Sequence, residues 1–213
     1  MHDMLVFKYQ KTGSMCFISH IDLLRHADRI IRRAKITVKF SQGFNPHPLL
    51  FFSPPLSLGV ASDAEYLTID SDMDAHEALC RFNGAVPDTL KASRVFVCGK
   101  NPNLQAKVVC ADYVFPVGYT DIDVSGGFEI EYSKKGEIVK EDVSDKIYAV
   151  FDKGGKLAMR LASGGRNLRP DRILDRLSEI VGQKIALGGV VKTAQYVDVD
   201  GKLVDVDEFL QTV

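Results

Sequence analysis

The sequence predicts an α+β fold of tandem ferredoxin-like (β-α-β-β-α-β) units, the second degraded. Three observations predict it. Periodic segments in the first hundred residues follow the order strand, helix, strand, strand, helix, strand. Lys100-Asn101-Pro102-Asn103 then reads as a boundary. Beyond it, strands and one clear helix recur in a similar order with the first helix short or missing. The two units are residues 1–100, with an inserted Pro-rich loop, and residues 101–213, incomplete.

In the first unit, Leu5 to Tyr9 is a strand that turns at Lys11-Thr12-Gly13-Ser14 and resumes at Met15-Cys16-Phe17. Ser19-His20-Ile21-Asp22 has the form of a capping box, opening a helix to about Ala34. Leu23, Leu24, Ala27, Ile30, Ile31 and Ala34 form its apolar stripe, and Arg25, Arg29, Arg32 and Arg33 share another face. Ile36 to Phe40 is the second strand. The loop Ser41-Gln42-Gly43-Phe44-Asn45-Pro46-His47-Pro48 follows it. Each Pro fixes its own φ and biases the residue before it toward an extended shape. The loop is therefore stiff and displays Gln42, Asn45 and His47. Leu49 to Ser53 is extended and ends at Pro54-Pro55. Glu65 to Asp70 is a strand, Asp74 to Phe82 a helix and Leu90 to Cys98 a strand.

In the second unit, Val108 to Val117 and Phe128 to Tyr132 are strands, and a hairpin joins Lys146–Phe151 to Lys156–Ala162. The missing helix falls near Asp142 to Lys146. Ser163 to Asp171 leads into a helix to about Val181, with Pro170 suited to its first turn. Val190 to Val199 is a strand, and Asp205 to Thr212 a short terminal helix.

Composition excludes several classes. The chain has 213 residues, is 46 % hydrophobic and 26 % charged, and no apolar run approaches a membrane span. No secretory signal is read at Met1-His2-Asp3-Met4, so the expected location is cytoplasmic. The four cysteines, Cys16, Cys80, Cys98 and Cys110, include no CxxC pair, which argues against a zinc knuckle or a radical iron–sulfur cluster. No metal or cofactor of its own is expected. Net charge is −1, yet residues 1–48 carry eight Lys or Arg against three Asp, a local +5 on a near-neutral chain.

Candidate chemistry follows from these patterns. Four guanidiniums on one helical stripe repel one another, and an anionic partner relieves that. Gly164-Gly165 before a helix N-terminus, with Arg166 and Arg169, resembles an anion cradle, although no Gly-Lys-Ser/Thr makes it a P-loop. His20, at a helix start where the dipole favours neutral imidazole, is a candidate base for attack by an RNA 2′-hydroxyl.

Phe17-Ile18-Ser19-His20-Ile21-Asp22-Leu23, Phe40 to Pro48, Pro55-Leu56-Ser57-Leu58-Gly59-Val60 and Glu65-Tyr66 resemble a radical-SAM-linked bacterial domain family. Its members stand beside, or fused C-terminally to, a radical S-adenosylmethionine protein with a cobalamin-binding-type region. The match is strong over residues 4–100, and Arg169-Pro170-Asp171 fits it more loosely. The resemblance implies a radical SAM partner. Taken with the basic stripe and the absent cluster cysteines, the leading expectation is an accessory module that binds RNA or another anionic substrate and presents it to that partner. Arg25, Arg29, Arg32 and Arg33 would contact phosphates, Gln42, Asn45 and His47 would read the substrate, and Arg166 and Arg169 would close the far side. Two alternatives stand beside it. One is a metal-independent ribonuclease with His20 as base. The other is a protein-docking module without nucleic-acid binding, using a patch of Phe44, Phe51 and Phe52.

Overall fold

The computed structural model describes residues 3–134 and 136–213. Its centre is a nine-stranded, mostly antiparallel sheet with few helices. In chain order the strands and helices are β1 (Asp3–Lys11), α1 (His20–Ala34), β2 (Leu50–Phe52), β3 (Ala61–Ser71), α2 (Ala75–Ala85), β4 (Ala92–Cys98), α3 (Leu104–Lys107), β5 (Val108–Gly118), β6 (Glu129–Lys134), β7 (Glu137–Asp142), β8 (Ile147–Lys153), β9 (Lys156–Ala162), α4 (Pro170–Val181), β10 (Val191–Val199), β11 (Lys202–Asp205) and α5 (Val206–Phe209). None of the described helices is long and apolar enough to cross a membrane.

The sheet runs β4-β1-β3-β10-β5-β9-β8, with β2 paired to β3 and β11 to β10. Among the described residues the single parallel pairing joins β3 to β10, through Ala61↔Val191 and Ser62↔Lys192. β3 pairs β1 along one edge and is long enough to serve two neighbours along the other. Its first residues pair β10, and Leu67 to Ile69 pair β2. β6 and β7 form a separate hairpin.

Alternation along the strands builds three cores. Leu5, Phe7 and Tyr9 of β1 and Leu67 and Ile69 of β3 point to the face covered by α1 and α2. Val6, Ala64 and Tyr66 point to the opposite face, where Leu104, Val206 and Phe209 close over them. A third core joins β5, β8 and β9 to α4 and the β6–β7 hairpin, around Phe115, Met159, Leu161, Ile173 and Leu177.

Three local expectations are corrected. Ile36 to Phe40 forms no strand. Lys35 takes a left-handed conformation at the end of α1 (φ 52°), and the chain then crosses the end of β3. There Ser71 Oγ donates to the Thr37 carbonyl at 2.6 Å and the Lys39 N–H to the Asp70 carbonyl at 3.0 Å. The strand beside β3 is β2, so the Pro-rich loop precedes that strand rather than following it. Met15 to Phe17 belongs to a 3₁₀ turn, Gly13–Phe17, with Met15 and Cys16 buried. Residues 128–142 hold two strands where one was expected, followed by a 3₁₀ turn at Ser144–Lys146.

Candidate functional site

α1 positions the basic stripe. Ser19 caps it, its Oγ accepting from the Asp22 N–H at 3.2 Å, and Leu23, Ala27, Ile30, Ile31 and Ala34 anchor its inner face. The outer face is partly neutralised. Arg25 pairs with Asp22 at 3.4 Å and Arg32 with Asp28 at 2.8 Å. Arg33 donates to the Ala85 carbonyl. Among the described residues Arg29 has no ion pair. These exposed pairs are weak, each contributing about 0–1 kcal/mol, so an incoming polyanion can displace them.

The Pro-rich loop is closed at its base. Phe40 and Pro48 form a β-bridge. The Ser41 N–H donates to the His47 carbonyl at 2.8 Å, the His47 N–H donates to Ser41 Oγ at 3.1 Å, and Ser41 Oγ lies 2.9 Å from His47 Nδ1. Gly43 has a positive φ of 148°. Gln42, Phe44, Asn45 and His47 are all exposed. The loop and the stripe meet where the Arg32 guanidinium sits 5.4 Å from the Phe40 ring centre. The expected apolar patch is smaller than its sequence suggested, because Phe52 is buried under α1, its ring edge-on to His20 at 5.7 Å.

Arg166 and Arg169 lie elsewhere. Arg166 is paired with Asp145 at 2.5 Å. Arg169 makes a two-pronged contact with Asp171, its Nε at 2.9 Å from Oδ1. Burial pushes the Asp171 carboxyl up, but the Arg169 hydrogen bonds and charge outweigh it and hold it below its ordinary value. Both arginines already have carboxylate partners. Asn167, Arg169 and Asp171 instead line a groove of about 310 Å³ with Pro55, Leu56, Ser57, Leu58 and Leu187.

Sequence reasoning missed a buried polar row in the sheet, which includes three charged side chains. Tyr9 and Lys11 of β1, Glu65 of β3, Lys192 of β10 and Tyr113 of β5 are buried. Lys192 is register-paired with Tyr113, and Tyr9 with Glu65. Lys192 Nζ lies 2.6 Å from Glu65 Oε1, with both side chains 5 % exposed or less. Lys11 Nζ donates to the Ile18 carbonyl at 2.8 Å. Gln195 ties the row to the segment after β2, its Nε2 donating to Ser53 Oγ at 3.1 Å and to the Ala64 carbonyl at 2.5 Å.

His20 is the predicted residue that reaches this row. It lines a cavity of about 10 Å³ with Tyr9, Lys11, Leu23, Phe52, Ser53, Leu56 and Glu65. That is room for roughly one water molecule. Burial lowers the pKa of His20, Glu65 opposes the shift and Lys11 adds to it. Burial likewise lowers Lys11, again opposed by Glu65, and raises Tyr9 well above the ordinary phenol value. The cavity thus places the His20 ring beside Lys11 and Glu65, with burial favouring the neutral form of the imidazole. A signal for two of its members is present in the sequence. Lys11 continues the Leu5-Phe7-Tyr9 alternation, and Glu65 the alternation that carries Leu67 and Ile69, so both stand in a core-facing phase. Lys192 has no such signal, because the ladder between β10 and β5 slips between Lys192 and Ala194.

The chain belongs to the bacterial family described as an uncharacterized protein conserved in bacteria (DUF2344), whose model matches residues 4–170. That span contains Lys11, His20, Glu65 and the Pro-rich loop, and ends before most of α4 and before Lys192. A search of curated proteins finds no match.

Proposed function

We propose that this protein is a cytoplasmic accessory module that binds RNA, or another anionic substrate, on the surface formed by α1 and the Pro-rich loop, and presents it to a separate radical SAM enzyme. The observation that carries the binding half is the contact of Arg32 with Phe40. It joins the arginine stripe and the polar loop into one face, with Arg29 unpaired among the described residues. The radical SAM half rests on the sequence resemblance and on the lack of cluster-type cysteine spacing, which leaves the radical chemistry to a partner. Arg25, Arg29 and Arg32, with Gln42, Asn45 and His47, are the substrate contacts of this reading. Arg33 faces α2, and Arg166 and Arg169 are left out.

The tandem ferredoxin-like reading has support in the strand orders. β4-β1-β3-β2 and β10-β5-β9-β8 are the same order, antiparallel throughout, and the β6–β7 hairpin occupies the place of a first helix in the second set.

Filter retention of total cellular RNA at low and moderate salt, with EDTA present, tests the binding. Salt-sensitive retention of intact RNA is the expected result. The double variant Arg29→Ala/Arg32→Ala should flatten the logarithmic salt dependence by about two phosphate contacts. An unchanged slope refutes the assignment of phosphate contacts to this helix.

The second reading, a metal-independent ribonuclease, has one observation in its favour: His20 is half-buried beside Lys11 in one small cavity, where burial favours its neutral form. RNA shortened in EDTA by the wild type, and left intact by His20→Ala, would establish it.

A further inference from the structure

We infer that the Pro-rich loop is a stacking platform for the bases of single-stranded nucleic acid, with Phe44 as its principal aromatic face. The inference rests on the proposed binding of RNA at this surface and specifies its form. Phe44 is fully exposed at the tip of the loop. The loop that carries it is closed by the Phe40–Pro48 bridge and by the reciprocal Ser41–His47 hydrogen bonds, and Pro46 and Pro48 restrict its backbone. A large apolar ring is thus held in water by a stiff support that lets it fold back on nothing. Phe40, at the base of the loop, keeps about one-third of its surface open and has the Arg32 guanidinium over its ring, 5.4 Å from the centre.

The surrounding charge selects the occupant. From Arg29 to Lys39 the chain carries five basic residues and no acidic one. Asp28 and Asp70 pair with Arg32 and Lys39 from the flanks, at 2.8 and 3.5 Å. Aromatic faces interleaved with guanidinium and ammonium groups suit a flexible polyanion whose bases are unpaired. Every base has a π-face to stack, and the cations track the backbone. A duplex hides those faces, so it would meet only the charges. Gln42, Asn45 and His47 flank Phe44 and present donors and acceptors to the edges of a stacked base.

The chain contains no Trp, so Phe44→Trp supplies a single fluorescent reporter at the tip of the loop. Titration of that variant with a twelve-nucleotide oligouridine should quench its emission. Anisotropy of a labelled oligouridine should show Phe44→Ala binding about ten-fold more weakly than wild type, with an unchanged salt slope. A hairpin duplex of equal charge should bind less tightly than the single strand and be indifferent to Phe44→Ala. If wild type binds oligouridine with salt sensitivity but Phe44→Ala binds equally well, or if Phe44→Trp shows no quenching at saturation, the stacking inference is overturned and the RNA-binding reading stands. If the duplex binds as tightly as the single strand and Phe44→Ala is silent, the surface reads charge alone. If wild type retains no RNA at any salt concentration, both fail together.

Discussion

Glu65 and Lys192 meet at 2.6 Å with side chains 5 % and 3 % exposed, and Lys11, which among the described residues has no ion pair, lines the same cavity as Glu65. Replacing Glu65 by Gln keeps the volume and removes the only acidic charge lining the cavity that Lys11 and His20 share. Coulomb's law at an effective dielectric of about 20 gives roughly 6 kcal/mol for the attraction at this distance. Part of that is offset because the carboxylate no longer has to be desolvated, whereas the buried ammonium groups still are. The expected loss is about 3–5 kcal/mol, a large share of the roughly 5–15 kcal/mol that stabilises a folded domain. The pH dependence carries the diagnosis. In wild type, burial depresses Lys11 and Glu65 holds it up. Without Glu65 the folded pKa falls further below the unfolded value. The added penalty is then full at pH values where Lys11 is protonated in the folded state as well as the unfolded one, and it shrinks as pH rises through the lowered folded pKa toward the ordinary lysine range. Urea unfolding of wild type and Glu65→Gln at pH 7 and pH 9.5 measures both terms. A difference below about 1 kcal/mol at pH 7, or one that does not shrink at high pH, would refute the reasoning.

His20 gives a second pH signature. Its folded pKa is depressed by burial, so its contribution is complete above pH 6.5 and is lost as pH falls, because the unfolded chain takes up the proton first. The urea midpoint of wild type should decline from pH 7 to pH 5 more steeply than that of His20→Gln. Gly189→Ala places a Cβ 2.7 Å from Pro116 Cγ and 2.8 Å from Pro116 Cβ, against a ring that cannot rotate away. It should cost about 1–3 kcal/mol, read as a fall in thermal midpoint. Asp112→Ala removes the acceptor of two Arg160 hydrogen bonds, at 2.7 and 3.1 Å, and of the Tyr196 hydroxyl at 2.7 Å. With Asp112 buried, the expected loss in urea unfolding is again about 3–5 kcal/mol.

Local patterns carried most of the element order. The Ser19 cap and the turn at Asp152 to Gly155 are decided by neighbours in sequence and form where the pattern places them; the α1 stripe forms through Leu23, Ala27, Ile30, Ile31 and Ala34, while Leu24 at its edge is left exposed. Ile36 to Phe40 has a β-branched run but no strand, because the left-handed Lys35 sends it across the end of β3 and the ladder position goes to Leu50–Phe52. Among the site residues, the arginine stripe was legible from helical spacing. Asp28 and Asp171 lie four and two residues from their partners Arg32 and Arg169, within reach of a local reading, whereas Asp145 lies 21 residues from Arg166 and was not legible. The buried row was least legible. Glu65 and Lys192 are brought together by one parallel pairing between distant strands, and no period within either segment encodes that.

That pairing also suggests why the row is charged. β3 and β10 share a ladder of two residue pairs, too short to fix register by backbone hydrogen bonds alone. A slip of one residue would turn Lys192 to the other face and leave Glu65 buried without its partner. The prediction is that the ion pair acts as a register lock at the seam between the α1–α2 core and the α4 core, a role distinct from net stabilisation. The double variant Glu65→Leu/Lys192→Met separates the two roles. It should recover most of the stability lost in Glu65→Gln, because no charge of the pair remains buried. It should also raise amide hydrogen exchange at Ala61, Ser62, Val191 and Lys192→Met relative to wild type, while exchange in the β1–β3 ladder stays slow. Recovery of stability with unchanged exchange at those four positions would show that apolar packing alone holds the register, and the lock would be discarded.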